Sequence, residues 1–115
     1  MAKRREVIGS KFFATLNKLT AEPLSDIVSE ISILRTDNTV KVGKSEIIDY
    51  FRNWLAPIEN MQIHIVMSAK NDSSIWYETN VMIHGRPAYD CFWMLCFHED
   101  DSIKLIKFYR TADIA

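Results

Sequence analysis

The stretch YDCFWMLCF, residues 89–97, is apolar on both faces of any strand it forms. Alternate side chains of a strand point to opposite sides. Tyr89, Cys91, Trp93, Leu95 and Phe97 therefore share one face, while Asp90, Phe92, Met94 and Cys96 share the other. Such a strand has to be covered twice. Helices from the same chain can cover one face. The other needs strong sheet curvature or a second copy of the protein, and we expect a homodimer that buries Phe92 and Met94, because contiguous apolar surface marks an interface.

The rest of the chain supplies those helices. REVIGSKFFATLNKLTAE places Val7, Ile8, Phe12, Leu16 and Leu19 at helical spacing, with Phe13 widening the stripe. Pro23 opens a short second helix, PLSDIVSE, followed by a strand ISILR, a turn TDN and an excursion TVKVG. KSEIIDYFRNWL gathers Ile47, Ile48, Phe51 and Leu55 on one side of a third helix, ended by Pro57. From Met61 onward, four alternating or apolar runs are separated by the turns NDSS, HGRP and EDDS, which is an antiparallel meander. Helices first and sheet afterwards predict one α+β domain over residues 1–115, ordered α-α-β-α-β-β-β-β.

Charge narrows the function classes. Fourteen Lys and Arg against fifteen Asp and Glu leave a net charge of -1, which gives no footprint for nucleic acid or an anionic membrane. The KRRE cluster at residues 3–6 reads as a solvated helix start. The chain shows no signal-peptide pattern and no apolar run near the ~20 residues needed to span a bilayer. Cys91 and Cys96 fall on opposite strand faces, so they read as buried free thiols of a reducing, cytoplasmic setting. Their spacing and that of the histidines match no metal site, so neither metal nor cofactor is expected.

Three segments carry a family resemblance. GKSEIIDYF at 43–51 resembles a Gly-x-x-x-Ile-x-x-(Phe/Tyr) helix entry, and it is joined by WYETNVMIHGRP at 76–87 and by the strand, acidic turn and strand of FHEDDSIKLIKFYRTAD at 97–113. Together with the element order, they are similar to the SnoaL-like branch of the nuclear transport factor 2-like superfamily, which includes the ketosteroid isomerases. The resemblance implies a cone: three N-terminal helices on a strongly curved, mainly antiparallel sheet, a pocket at the open end, and frequent dimers through the outer sheet face.

The resemblance also implies where chemistry would reside. In ketosteroid isomerases a helix tyrosine and a strand aspartic acid form the oxyanion hole, and a second aspartate moves the proton. Those positions align here with Phe12 and Trp93, and the base falls near Leu34, with Ser32 and Arg35 as neighbours. The isomerase machinery is therefore absent, as is the Asp-Arg-Asp set of epoxide hydrolases on this fold. Dehydratases on the fold use histidines with tyrosines, and the candidates are His64, His84, His98, Tyr50, Tyr77 and Tyr89. His84 and His98 lie beside turns and are expected to face solvent. His64 in mid-strand and Tyr50 at the pocket wall are the catalytic candidates.

The expected function is binding of a small apolar ligand. The walls would be Phe12, Phe51, Tyr77, Thr79, Cys91, Trp93, Phe97, Phe108 and Arg110, with general acid–base chemistry of the cyclase, isomerase or dehydratase kind. Glu78 and Asp90 join Phe92 and Met94 on the dimer face. A one-residue slip of register would turn both carboxylates inward as an acid–base pair. The alternative is a module with a filled cone that works by dimerisation or partner binding.

Overall fold

The computed structural model describes residues 2–113, and the side chains of residues 4–111. Helix α1 spans Ala2–Asn17, strand β1 Val28–Arg35, β2 Val40–Val42, helix α2 Lys44–Leu55, β3 Met61–Lys70, β4 Ser74–Ile83, β5 Arg86–Phe97 and β6 Ile103–Asp113. The second helix foreseen at PLSDIVSE is instead a single 3-10 turn over Glu22–Asp26. Its N-cap, Ala21, offers no side-chain acceptor, and the β-branched Ile27 and Val28 draw the chain into β1. The excursion TVKVG supplies β2, so two helices rather than three cover the sheet.

The strands form one six-stranded sheet in the order β2-β1-β6-β5-β4-β3. All neighbours are antiparallel except β1 and β6, which run parallel. Register shifts interrupt every long pairing, at Val28/Ile33, Ile65/Met67, Val81/Met82, Asp90/Cys91 and Cys96/Phe97. Each extra residue bends its strand and raises the local twist, which curves the sheet into a cone around the helices. The β4–β5 connection is a two-residue hairpin, and both His84 (φ 53°) and Gly85 (φ 76°) take the positive φ that such turns require.

The double-faced strand β5 is oriented as its alternation predicts. Trp93 and Leu95 are wholly buried beneath the helices with Cys91 and Phe97, whereas Phe92, Met94 and Cys96 are half-buried on the outer face. Phe12, Phe13 and Leu16 of α1 and Ile47, Phe51 and Leu55 of α2 complete the core. Val7 departs from the expected stripe and is 61% exposed.

Two of the contacts that hold α1 on the sheet are specific to its first half. At the closed end of the cone, Arg5 donates to Asp101 Oδ1 (2.6 Å), to the Asp72 carbonyl (2.7 Å) and to the His98 carbonyl (3.1 Å), and it lies over the Phe97 ring. Arg5 thus ties the helix start to the β3–β4 and β5–β6 turns, which corrects the reading of KRRE as merely solvated. His98 is likewise half-buried at this node and not solvent-facing. Further along, the Tyr77 hydroxyl presses on the helix at Gly9, where a Cβ would lie 2.0 Å from it. Only glycine fits that close approach.

Two outcomes follow. An alanine in mid-helix normally stabilises by about 1 kcal/mol over glycine, but Gly9→Ala is expected to lower the denaturant midpoint here, and adding Tyr77→Phe should recover part of the loss. Equal stability of Gly9→Ala and the native chain would refute the contact. At the other node, the hydrogen bond from Arg5 holds the Asp101 carboxyl below its ordinary range. A depressed carboxylate contributes stability above its unfolded pKa and loses it as pH falls through the folded value. Asp101→Asn should therefore be less stable than the native chain at pH 7, with the gap closing on acidification below ~4.

Candidate functional site

The interior of the cone is solid. Trp93 stacks on Phe108 at 4.3 Å and meets the edges of Phe12 (5.6 Å), Phe13 (5.2 Å) and Trp54 (6.4 Å). Its indole N–H donates to Thr79 Oγ1 at 2.9 Å, and the Thr79 hydroxyl passes a hydrogen bond to the Cys91 carbonyl at 3.3 Å. Phe12, Phe51 and Trp93 are 0% exposed. The expected wall residues Phe12, Phe51, Thr79, Trp93 and Phe97 are therefore core, and Thr79 is occupied by Trp93. Phe12 and Trp93, where the isomerase donors align, touch each other. Leu34, at the base position, is wholly buried, and Ser32 donates to the Ile103 carbonyl at 2.5 Å.

Open space lies instead at the mouth, where α2, the β1–β2 turn, the start of β5 and the end of β6 converge. A recess of about 310 Å³ is lined there by Thr36, Asp37, Asn38, Tyr50, Trp54, Tyr89, Cys91, Phe108, Tyr109 and Arg110. Tyr50 and Trp54, one helical turn apart, also border a second recess of about 420 Å³ with Lys41, Glu46, Asp49 and Asn53. Both volumes fall within the range of small-ligand sites. Of the expected ligand residues, Cys91, Phe108 and Arg110 come together here, with the catalytic candidate Tyr50.

Among the described residues, the polar groups of the first recess are mostly neutral, with one charge of each sign, Asp37 and Arg110. Burial raises the Tyr50 phenol, against hydrogen bonding to Thr36 and the charge of Arg110. Burial likewise raises Tyr89, whose hydrogen bonding to Arg110 and Trp54 works the other way. Burial pushes the Cys91 thiol up to about 12, so at neutral pH it is a thiol and no nucleophile. The Arg110 guanidinium lies over the Tyr89 ring, with Cζ 4.0 Å from the centroid. Asp37, exposed on the β1–β2 turn, supplies the carboxylate.

Other candidates lie elsewhere. His64 is exposed on edge strand β3 and paired with Asn80, so it does not share a site with Tyr50. The β3 bulge falls beyond it, leaving the alternation that turns Ile63 inward to turn His64 out. Tyr77 is buried against α1, with burial pushing its phenol up to about 12. His84 is exposed, as expected, and its Nε2 accepts from the Glu59 amide at 3.3 Å. Glu78 and Asp90 stay on the outer face, Asp90 accepting from Asn80 at 2.6 Å, so the inward slip of register does not occur. Among the described residues, no group of three His, Cys, Asp or Glu side chains is placed to hold a metal ion, and no helix is long and apolar enough to cross a membrane.

Trp54, Tyr89 and Asp37 are the site residues that the sequence reading left out of its pocket. The Tyr50/Trp54 spacing of four, which puts two aromatics on one helix edge, was the available signal for Trp54. Asp37 had none, because only the parallel docking of β1 on β6 carries that turn to the mouth.

No protein-family model and no curated protein sequence matches the chain. Solved structures do. A SnoaL-like family protein from Agrobacterium tumefaciens superposes with TM-score 0.82 at 8% identity, over 96% of this chain and 99% of that one. The epoxide hydrolase/cyclase-like enzyme SalBIII, which has a role in pyran ring formation in the polyether salinomycin, gives 0.78 at 12% identity, over 95% and 92%. The fold is that of the nuclear transport factor 2-like superfamily. A de novo designed protein with a curved sheet is as similar, at TM-score 0.79 and 13% identity over 96% and 87%. Likeness at this level shows the nuclear transport factor 2-like cone and leaves its chemistry to the side chains.

Proposed function

We propose that this chain is a small-molecule-binding domain that takes a small apolar ligand at the mouth of the cone, in the recess beside Tyr50 and Trp54. The supporting observation is the convergence there of aromatic walls from Trp54, Tyr89 and Phe108 with three different polar groups, Asp37, Tyr50 and Arg110. The filled interior moves the ligand outward from the place the resemblance implied. General acid–base chemistry at a carbonyl- or hydroxyl-bearing carbon is the reaction this set supports, with Asp37 accepting a proton and a phenol donating one. Polyketide cyclase, isomerase and epoxide hydrolase names occur among the structural neighbours, which agrees with reactions of that kind. A thermal-shift screen of aromatic and terpenoid compounds followed by calorimetry tests this reading. Trp54→Ala should weaken a hit by about tenfold or more, from the lost aromatic contact, and Tyr50→Phe by a smaller factor. Unchanged affinity in Trp54→Ala would move the site elsewhere.

A second reading concerns the outer sheet face, which we propose pairs with a second copy. Cross-strand neighbours align Trp76 with Met94 and Lys107, and Glu78 with Phe92 and Tyr109. Trp76 is 42% and Tyr109 36% exposed. The carboxylates Glu78 and Asp90 lie toward the open end, while Lys104 and Lys107 flank Cys96 toward the closed end. A two-fold axis through the apolar middle sets acid against base. Sedimentation should give twice the chain mass, and Phe92→Glu should give the monomer. A monomeric native chain at micromolar concentration would exclude this pairing.

A further inference from the structure

We propose that the free edge of β3 pairs with the same edge of a second copy of this chain, antiparallel, about a two-fold axis between Val66 and Met67. This surface is separate from both the mouth and the outer sheet face. β3 ends the sheet, with β4 on one side and, among the described residues, no strand on the other. Helix α1 closes that edge only at its two extremes. At one, the Ile63 amide donates to Asn17 Oδ1 (2.7 Å) and the Ile63 carbonyl accepts from Asn17 Nδ2 (3.4 Å), so the carboxamide stands in for a neighbouring strand. At the other, Lys70 is ion-paired with Glu6. Between them lie residues 64–69, HIVMSA, all exposed, with no Pro, Lys, Arg, Asp or Glu among them. Proline and charged side chains are what normally keep an edge from pairing.

The backbone sets the register. Along an antiparallel strand, residues alternate between turning their N–H and C=O toward the partner strand and turning them away. The Asn17 contact shows that Ile63 turns away from β4, so Ile65 does too. The bond from the Asn71 amide to the Ser74 carbonyl turns Asn71 toward β4, so beyond the bulge Ser68 turns away. A second β3 has to match outward groups with outward groups. Ile65 opposite Ser68 of the second copy does so, and it sets Val66 opposite Met67 and His64 opposite Ala69. Cross-strand neighbours share a sheet face, and these do: Ile65 and Ser68 line one recess under α1, while Val66 and Met67 lie on the outer side beside Glu78. Residues 64–69 thus map onto themselves, with no like charges opposed. An unrelated extended segment would satisfy the same hydrogen bonds, but only β3 itself brings a matching bulge to the axis. The recess of about 390 Å³, bordered by Ser10, Ile65, Ser68, Ile75 and Tyr77, then receives Ile65 of the second copy. The contact is smaller than the roughly 20–30 residues a side of a standard interface, so its dissociation constant should be on the order of 0.1 mM.

The test uses the Phe92→Glu chain, which lacks the outer-face contact, so its result does not depend on that reading. Sedimentation should show monomer at ~10 μM and mostly dimer at ~1 mM. Adding Val66→Lys, at an exposed position away from the core, should hold the chain monomeric at both, because two ammonium groups then meet beside the axis. Amide exchange reads the register directly. The Ile65 and Ser68 amides of Phe92→Glu should exchange about fourfold more slowly at ~1 mM than at ~10 μM, since only the monomer leaves them open, while amides of the β3–β4 turn should not change. A Phe92→Glu chain still monomeric at ~1 mM would overturn the pairing and leave the edge to an extended segment of another protein. A dimer that survives Val66→Lys, or one whose Ile65 and Ser68 amides exchange as fast as in the monomer, would place the contact elsewhere and overturn the proposal.

Discussion

The hydrogen bond from the Trp93 indole to Thr79 is the contact on which the rest of the molecule turns. A tryptophan at the centre of a small cone fills space that nothing smaller could fill, but its N–H needs a partner when water is excluded. Thr79, on the neighbouring strand two residues beyond Tyr77, the cross-strand partner of Trp93, accepts it and donates its own hydroxyl proton to the Cys91 carbonyl. With that polarity settled, Trp93 can lie flat on Phe108 and present its edges to both helices. The interior is then full, the helices are seated, and open space is left in recesses at the surface, the rim of the cone among them. The place proposed for a ligand is thus a consequence of how one buried donor is satisfied.

Much of this was readable from residue order alone. The parity of residues 89–97, with Trp93 in and Phe92 out, follows from strand alternation, and the irregularity at Asp90/Cys91 leaves it intact because the extra residue, Thr111, lies in β6. The meander followed from its turns. What could not be read was anything that depends on distant segments meeting. Whether aromatic side chains enclose a hollow or fill it depends on the distance between α1, α2 and the sheet, and Trp93 reads equally well as wall or plug. The helix at Pro23 failed because five residues with an uncapped start cannot outweigh the β preference that follows. His64 failed because mid-strand position says nothing about which face an edge strand turns to solvent, and Arg5 was missed because its three partners lie in turns far along the chain.

The neighbours make a related point. A natural family protein, an enzyme of polyether biosynthesis and a designed protein share this architecture with the chain at 8–13% identity. The shared part is the path of the backbone, which any sequence with suitable patterning can adopt. Loops and strand termini, such as those at the open end of the cone, tolerate change without disturbing a core.

The parallel pairing of β1 with β6 has a kinetic meaning. β1 has β2 on one side and β6 on the other, so the first half of the chain enters the sheet only through its last strand. During synthesis β3, β4 and β5 can zip up by local hairpins as they emerge, while β1 and β2 wait with α2 for a neighbour not yet made. Closure of that long loop comes late and is slow for entropic reasons. Until it happens the β6-facing edge of β5 is bare, and with it the greasiest strand of the chain. The interval before β6 arrives is therefore when a nascent chain of this sequence is most exposed to sticking to its neighbours.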